Sequence, residues 1–169
     1  KGIYKALGFE WIPPEHREDH GEYFRYQLGK SVPLLNKNDI EYDMHIHSNY
    51  SDGTSTIEDN IKFAIEKGYK GIAICDHSQG LKIANGLSLE RLQQKNKEID
   101  ELRIKYPEIK IFKGSEVDIK GDGSLDYPDE VLDQLDFVVA AIHTHTKKDV
   151  TEAYKKVIQS GKVHTIAHI

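Results

Sequence analysis

The sequence predicts an α/β fold whose strands form a parallel sheet, either open or closed into a barrel. From Glu41 onward, short β-like runs alternate with stretches of helical periodicity, without low-complexity segments or a convincing repeat. Strands that are joined through helices pair in parallel by right-handed crossovers. The 169 residues, 38% hydrophobic and 30% charged, are enough for one soluble domain with a real core.

The first two strands and the helix between them have clear signals. "YDMHIH" predicts a strand that ends in a loop, and "GIAIC" predicts a buried strand. Between them, Ser55 and Glu58 have the spacing of a capping box at the start of a helix, and Gly68 supplies its stop. This order predicts the first strand–helix–strand unit of the sheet.

Three further strands follow in the same manner. Ser88 is the expected cap of a longer helix that ends before Pro107. "IKIFKGSEVDI", "FVVAAIH" and "VHTIAHI" predict the third, fourth and fifth strands, and a helix that begins at Asp149 or Thr151 separates the last two.

The first 40 residues differ from the rest of the chain. "WIPPEHREDHGE" combines paired prolines with dense charge, which indicates an irregular arm or linker. We therefore predict a domain boundary near residue 40.

Composition and charge exclude several classes of protein. The net charge of -5 argues against a dedicated nucleic-acid coat, although bound cations could still attract phosphate. No apolar run approaches the ~20 residues of a membrane span, and the first residues lack a signal peptide, so we expect a cytoplasmic protein with no membrane partner. The single cysteine, Cys75, excludes an internal disulfide and is expected to be a buried small hydrophobe.

Histidines and a glutamate stand at the carboxyl ends of the predicted strands. In chain order they are His45 and His47, His77, Glu116, His143 and His168. Because the carboxyl ends of parallel strands open on one rim, we expect these side chains to converge there.

The residue types at this rim suit transition-metal ions. His45 and His47 are two residues apart in a strand, so they point to the same face and can bind one ion together, while Asp52 returns from the following loop. Glu116 has two oxygens and can bridge two cations. Five imidazoles and two carboxylates favour Zn, Mn or Fe over Mg or Ca.

Each of these residues alone has a structural explanation. A lone histidine near a strand end is usually hydrogen-bonded, an Asp-Gly pair is most often a turn, and a single glutamate could lie on the surface. Their coincidence at successive strand ends indicates a metal cluster instead. His16, His20 and His164 lack this placement and are expected to be structural.

Three other residues near these strand ends leave alternatives open. His145 forms a second His-x-His pattern with His143, and metal ligation, substrate contact and plain exposure explain it equally well. Asp76 and Asp118 could orient the metal-binding histidines or contact substrate.

Several segments together resemble the PHP domain, the polymerase and histidinol phosphatase superfamily of metal-dependent phosphoesterases. "DMHIHSNYSDG", "GIAICDHS", "FKGSEVDI", "DFVVAAIHT" and "TIAHI" match its motifs in order and spacing. "ALGFEWIPPEHRE", "LKIANGLS" and "EVDIKGDGSLDYPDEVLDQLD" resemble the version attached to bacterial and archaeal family X DNA polymerases. The resemblance implies that 1–40 is the tail (thumb end) of a polymerase core with a linker, and that 41–169 is a PHP phosphoesterase domain.

The resemblance also implies a fold and a metal site. The PHP fold is a distorted, TIM-like (βα)7 barrel with up to three ions at its carboxyl rim. By motif, His45 and His47 would hold one ion together with Glu116, and Glu116 would bridge to a second ion held by His143 and His168. Asp52 and His77 would hold the third ion.

The resemblance further implies catalytic roles for Glu116, His143 and Asp52. The family's later Asp-x-His motif, which supplies two more ligands, has no counterpart up to Ile169. We therefore expect a barrel truncated after about five strands, with two ligands of the full site missing.

The activity implied by the resemblance is 3'-5' exonucleolytic hydrolysis at DNA 3' ends in DNA repair, with the polymerase core in cis. Two alternatives stay open. One is a small-molecule phosphatase of the histidinol-phosphatase type, and the other is a non-catalytic scaffold in which metals only brace the barrel. The sequence indicates no oligomeric state.

Overall fold

The computed structural model describes residues 1–17, 20–30, 33–143 and 149–168. The chain divides into two units, Lys1–Ile40 and Glu41–Ile169. Within the described residues, no helix combines the length and the apolar character needed to cross a membrane.

The first unit is built from short elements. Helices α1 (Gly2–Ala6) and α2 (Glu22–Gln27) are accompanied by 3₁₀ turns at Pro14–His16 and Lys37–Asp39. Ile12 is the one buried hydrophobic residue among the residues of this unit that the structure describes. Its carbonyl accepts hydrogen bonds from the Arg17 guanidinium at 3.1 and 2.5 Å. A unit with so little buried apolar area gains little stability from the hydrophobic effect.

The second unit contains a five-stranded parallel sheet, which confirms the predicted α/β class. Its strands are β1 (Tyr42–Ile46), β2 (Gly71–Ile74), β3 (Lys110–Asp118), β4 (Phe137–Ala141) and β5 (Thr165–Ile166). Neighbours in the sheet are consecutive in the chain. This order is that of a βα barrel, because a doubly wound open sheet reverses its strand order. The five strands thus form a curled half-barrel.

Helices connect the successive strands. They are α3 (Ile57–Glu66), α4 (Leu89–Lys105), α5 (Asp129–Leu132) and α6 (Thr151–Gln159), with a 3₁₀ turn at Lys82–Ala84 before α4. As predicted, the Ser88 side chain caps α4 by accepting the Arg91 amide at 3.4 Å.

The predicted cap of α3 is wrong by one residue. Thr56, and not Ser55, accepts the amide of Asp59 at 3.0 Å and so replaces the expected pair of Ser55 with Glu58. The Ser55 carbonyl instead accepts the Asn49 amide at 2.8 Å, which ties Ser55 to the loop after β1.

The core fills the space between the sheet and its helices. Ile61 of α3 and Ile99 of α4 pack with Ile72 and Ile74 of β2, and all four are fully buried. Cys75 is also buried, as expected, and burial raises the pKa of its thiol to about 12. A thiol with that pKa stays protonated and unreactive near neutral pH.

Strand β3 changes partner halfway along its length. Lys110–Lys113 pairs with β2, whereas Gly114–Asp118 pairs with β4. The two strands β2 and β3 part near Gly114, and only a single bridge between His77 and Glu116 continues their pairing. Glu116 therefore lies in the middle of the sheet, at its carboxyl rim.

Candidate metal centre

Glu116 is the central side chain of a cluster at the carboxyl rim. It is 1% exposed, and its Oε2 lies 3.3 Å from His45 Nε2 and 3.1 Å from His47 Nε2. His77, which follows β2, places its Nδ1 3.1 Å from the same oxygen. Three imidazoles from the ends of two strands thus meet one carboxylate oxygen.

The other oxygen of Glu116 faces the later strands. Its Oε1 lies 3.3 Å from His143 Nε2 and 3.4 Å from His168 Nε2. Asp118, two residues along β3, contacts His143 Nδ1 through a short hydrogen bond. This contact orients the imidazole so that its Nε2 faces Glu116, which is one of the two roles that the sequence left open for Asp118.

Asp52 joins the cluster from the loop after β1. Its Oδ1 lies 2.8 Å from His47 Nδ1, and its Oδ2 lies 3.5 Å from His77 Nε2. The side chain is 45% exposed, so Asp52 stands at the solvent side of the cluster while Glu116 lies beneath it.

Contacts between the carboxylates and the imidazoles of the cluster shift the pKa values of both. Burial disfavours the charged form of Glu116, but hydrogen bonds from His45 and His47 outweigh it and lower the pKa of Glu116. Burial opposes the charged form of His47 too, yet Glu116 and Asp52 raise its pKa to about 8. His77 differs, because burial prevails there and lowers its pKa. Glu116 is therefore ionised at neutral pH and contributes a negative charge to the cluster.

The donor set fits divalent metal ions. His77 Nδ1, Glu116 Oε1 and His143 Nε2 are buried and have no hydrogen-bond partner, although neighbouring atoms lie near them. Such atoms are costly to bury unless a ligand completes their bonding. Among the described residues, three groups of potential ligand atoms each lie within 4.8 Å of one another. They are His45, His47 and Glu116; His47, Asp52 and His77; and His77, Glu116 and His143.

Asp76 holds the loop that carries Asp52. Its Oδ1 accepts hydrogen bonds from the Ser48 amide at 2.8 Å and the Ser51 hydroxyl at 2.6 Å, and its Oδ2 accepts the Ser48 hydroxyl at 2.8 Å. The Ser51 hydroxyl also lies 3.3 Å from Asp52 Oδ1. Asp76 thus positions the loop backbone and does not contact a histidine of the cluster through these bonds.

Lys95 is a buried lysine close to the cluster that the sequence motifs did not predict. Its Nζ donates to the carbonyls of Ile74 at 3.2 Å and Gly114 at 2.6 Å, and lies 3.9 Å from Asp76 Oδ2. Burial lowers the pKa of this lysine. The sequence does indicate this burial, because Lys95 follows the buried Leu92 by three residues and so lies on the apolar face of α4.

The cluster lines a cavity of about 540 Å³. All seven predicted metal ligands line it: His45, His47, Asp52, His77, Glu116, His143 and His168. Leu81, Ile83 and Ala84 form an apolar part of the wall, which the strand pattern of the sequence did not predict.

The other histidines have varied positions. His145 lies outside the described residues. His164 Nδ1 accepts the Val138 amide at 3.1 Å, a structural contact of the expected kind, and its ring packs against Phe137. His16 packs against the ring of Tyr26, and His20 also belongs to the first unit.

Comparisons with known proteins agree with this geometry. A family model described as the PHP domain matches residues 43–166. The chain is 41% identical over 169 residues to the DNA polymerase/3'-5' exonuclease PolX of Bacillus subtilis (strain 168), covering 98% of the chain and 29% of that protein. It is 29% identical over 136 residues to a probable phosphatase of Syntrophotalea carbinolica, covering 76% of the chain and 54% of the phosphatase.

A solved structure shares the fold. The histidinol phosphate phosphatase of Lactococcus lactis, complexed with zinc, L-histidinol and phosphate, superposes with a TM-score of 0.54 at 23% identity. The match covers 76% of this chain and 57% of the phosphatase. The chain therefore spans under a third of the Bacillus relative and just over half of the two phosphatases.

Proposed function

The chain belongs to the PHP domain family, and we propose that it hydrolyses phosphate esters at a metal centre around Glu116. One observation supports the proposal most strongly: five imidazoles surround one buried carboxylate, and their nitrogens lie 3.1 to 3.4 Å from its two oxygens. Burying a charged carboxylate costs free energy, and such groups are typical of sites that bind a cation or carry out a reaction.

The proposed cofactor is zinc or manganese, with iron as a further option, in up to three ions. Nitrogen-rich donor sets favour these metals, and the Lactococcus relative is complexed with zinc. His45, His47 and Glu116 would hold the first ion, Glu116, His143 and His168 the second, and Asp52 and His77 the third. Bound divalent ions would supply Lewis-acid polarisation of the phosphate and a lowered pKa of water.

The chain's own residues prepare the site in three ways. The contact between Asp118 and His143 Nδ1 keeps the other ring nitrogen free as a donor. Glu116, with its lowered pKa, is ionised near neutral pH and supplies a negative charge. Asp52 stands on the solvent side of the cluster, with its side chain 45% exposed, where a phosphate would approach from the rim. Glu116, His143 and Asp52 are the proposed catalytic residues.

The proposed substrate is the 3' end of DNA, hydrolysed in the 3'-5' direction during DNA repair. Similarity to the Bacillus exonuclease extends over 98% of the chain, including residues before the PHP match. Residues 1–40 would be the tail of a polymerase core with its linker, and the core would act in cis. In a bacterium or an archaeon, chromosomal DNA lies in the cytoplasm, so the proposed location of the protein is cytoplasmic.

Hydrolysis of a small phosphate ester is the second candidate. It is favoured by the similarity to the probable phosphatase of Syntrophotalea and by the fold shared with the histidinol phosphate phosphatase. The two candidates use the same metal centre and differ in what binds beside it.

The test is hydrolysis of a 3'-labelled oligonucleotide and of histidinol phosphate by the purified protein with Mn²⁺ or Zn²⁺. Glu116→Gln keeps the shape of the side chain but removes its charge, so we expect a loss of at least about a hundredfold in kcat/KM. Glu101→Gln, an exposed change on α4, serves as the matched control and should leave the rate unchanged.

Each outcome separates the candidates. Label release that exceeds histidinol phosphate turnover supports the exonuclease, and the reverse supports the phosphatase. Bound metal without hydrolysis of either substrate would instead support a scaffold in which metals only brace the barrel.

A further inference from the structure

An apolar shelf, formed by Leu81, Ile83 and Ala84, borders the cavity of the metal centre. Ile83 is 96% exposed and yet lines the same cavity as His77 and Glu116. Ala84 is buried and anchors the shelf to the body of the second unit. One wall of an otherwise polar, histidine-rich cavity is therefore apolar and open to a ligand.

The location of Ile83 distinguishes it from other exposed isoleucines. Single exposed apolar side chains are common on protein surfaces and usually have no function. Ile104 of α4 and Ile158 of α6 are such cases, at 83% and 63% exposed, and neither lines this cavity. Ile83 instead stands beside the groups that would bind a phosphate.

Hydrogen bonds hold the shelf on the loop that carries Asp52. Asn85, in a left-handed conformation with φ 55°, ends the 3₁₀ turn of the shelf. Its Nδ2 donates to the carbonyls of Tyr50 at 3.0 Å and Ser51 at 3.3 Å. Arg91 donates to the Asn85 carbonyl at 2.9 Å, and a second, shorter bond joins it to the Tyr50 carbonyl. The shelf is thus fixed relative to the metal centre before any ligand binds.

Close packing fixes the other end of the shelf. A Cβ on Gly86 would lie 1.9 Å from the Ser78 carbonyl oxygen, so only glycine allows this approach. The next amide, that of Leu87, donates to the His77 carbonyl at 2.8 Å. The shelf is consequently tied to the residue that would bind metal as well as to the loop of Asp52.

We propose that the apolar shelf packs against the base of the nucleotide whose phosphodiester lies at the metal centre. This inference rests on the proposed exonuclease function. The cavity of about 540 Å³ is within the size range of small-molecule sites, and it joins phosphate-binding groups to an apolar wall. A phosphate ester with a flat, weakly polar group matches both parts.

The chemistry of the shelf also predicts what it does not recognise. Aliphatic side chains make dispersion and hydrophobic contacts with the face of a base and form no hydrogen bonds to its edge. Every base offers such a face, whereas sequence is distinguished through base edges. The shelf therefore detects the presence of a base and not its identity, which suits an enzyme that removes nucleotides successively.

The test compares two oligonucleotides that differ only in the base of the 3'-terminal residue. One ends in a normal nucleotide and the other in a tetrahydrofuran abasic residue with the same phosphodiester. We expect kcat/KM to be roughly tenfold higher with the base than without it, and similar for all four bases. Ile83→Ser should remove that preference by slowing only the base-bearing substrate, while Ile104→Ser should change neither rate. Because Ile83 is 96% exposed, its replacement does not threaten folding.

Failure of the inference is distinguishable from failure of the proposed function. Equal wild-type rates on both substrates, or an equal loss of rate on both in Ile83→Ser, would contradict the proposed contact between the shelf and the base. Neither result would contradict the exonuclease function. No cleavage of either substrate would instead contradict the exonuclease.

A binding measurement provides a readout apart from activity. Calorimetry with the zinc-loaded protein should show dTMP binding roughly tenfold tighter than inorganic phosphate, and Ile83→Ser should abolish that difference. Equal affinities of the wild-type protein for dTMP and for inorganic phosphate would also contradict the proposed contact between the shelf and the base.

Discussion

Glu116 combines two properties that oppose each other in most proteins, burial and ionisation. Its side chain is 1% exposed, yet the surrounding imidazoles lower its pKa, so it keeps its charge. The cost of burying that charge is offset here by neighbours that can themselves bind a cation. A bound cation would compensate this buried charge further.

The loop that carries Asp52 depends on a single glycine. A Cβ on Gly53 would lie 2.4 Å from the His47 carbonyl oxygen and 2.8 Å from the Ser48 carbonyl carbon, both backbone atoms. Gly53→Ala must therefore displace the loop, and a displacement of about 1 Å can reduce catalysis roughly a hundredfold. We expect a loss of that size in kcat/KM and weaker zinc binding in competition with a chelator.

Gly121→Ala is the matched control for this change. A Cβ on Gly121 meets nothing within 4 Å, so the same substitution should leave activity and zinc affinity unchanged. If the two variants behave alike, the loop geometry does not determine metal binding.

Helix α4 carries a charge into the core through Lys95. The Lys95 ammonium group bridges the carbonyls where β2 and β3 part and lies near the carboxylate of Asp76. Lys95→Met would leave these acceptors without their donor, and removal of one partner of a buried ion pair costs about 3 kcal/mol or more. Urea unfolding should show a loss of that size in the free energy of unfolding.

Lys97→Met tests whether the effect comes from burial. Lys97 is exposed on the same helix, so its replacement should change the free energy of unfolding by less than ~0.5 kcal/mol. Equal unfolding free energies for the two variants would contradict a structural role for Lys95.

Helices α3 and α4 are also joined by a carboxylate at their ends. Glu58 accepts hydrogen bonds from the Tyr106 hydroxyl at 2.6 Å and Lys105 at 3.0 Å, and it pairs with Lys62 at 2.9 Å. These contacts lower the pKa of Glu58 from 4.5 to about 2. A carboxylate whose pKa is depressed by folding stabilises the protein above its unfolded pKa, and this contribution is lost as the pH falls.

Glu58→Gln should therefore destabilise the protein at pH 7 and progressively less below pH 4.5, toward no effect near pH 2. Urea unfolding of both proteins at pH 7 and at pH 3.5 measures the difference. A destabilisation that is larger at pH 3.5 than at pH 7 would contradict this assignment.

The elements of the second unit could largely be predicted from the sequence. Alternation of apolar runs with capped helical stretches predicted all five strands and the Ser88 cap, because these signals are local. The α3 cap was missed by one residue because Ser55 and Thr56 have the same capping chemistry, and the tertiary bond to the Ser55 carbonyl selects between them. The burial of Lys95 and the loop-holding role of Asp76 also depend on tertiary contacts that no local pattern encodes.

The two units of the chain differ in how many buried hydrophobic residues they contain. In the first, Ile12 is the only buried hydrophobic side chain within the described residues, whereas β2 and most of β4 in the second are fully buried. Hydrogen exchange should therefore be slow in Gly71–Ile74 and Phe137–Ala141, and at least roughly a hundredfold faster in residues 1–17. Mass spectrometry of peptides from the intact protein measures both, and equal protection would contradict this difference.

The ends of the five strands converge on the candidate metal centre. Side chains from position 45 to position 168 line one cavity because β1 to β5 are parallel and consecutive, a consequence of topology that the sequence indicates only when all strands are considered together. The apolar shelf could not be predicted in this way, since Leu81 and Ile83 lie in a 3₁₀ connection outside the strand pattern.

Anomalous diffraction from crystals grown with zinc tests the central claim most directly. We expect peaks at the zinc edge within about 2.0 to 2.3 Å of the Glu116 oxygens and of the imidazole nitrogens of His45 and His47. Peaks elsewhere on the protein, with Glu116 bonded to no ion, would contradict the assignment of this rim as a metal centre.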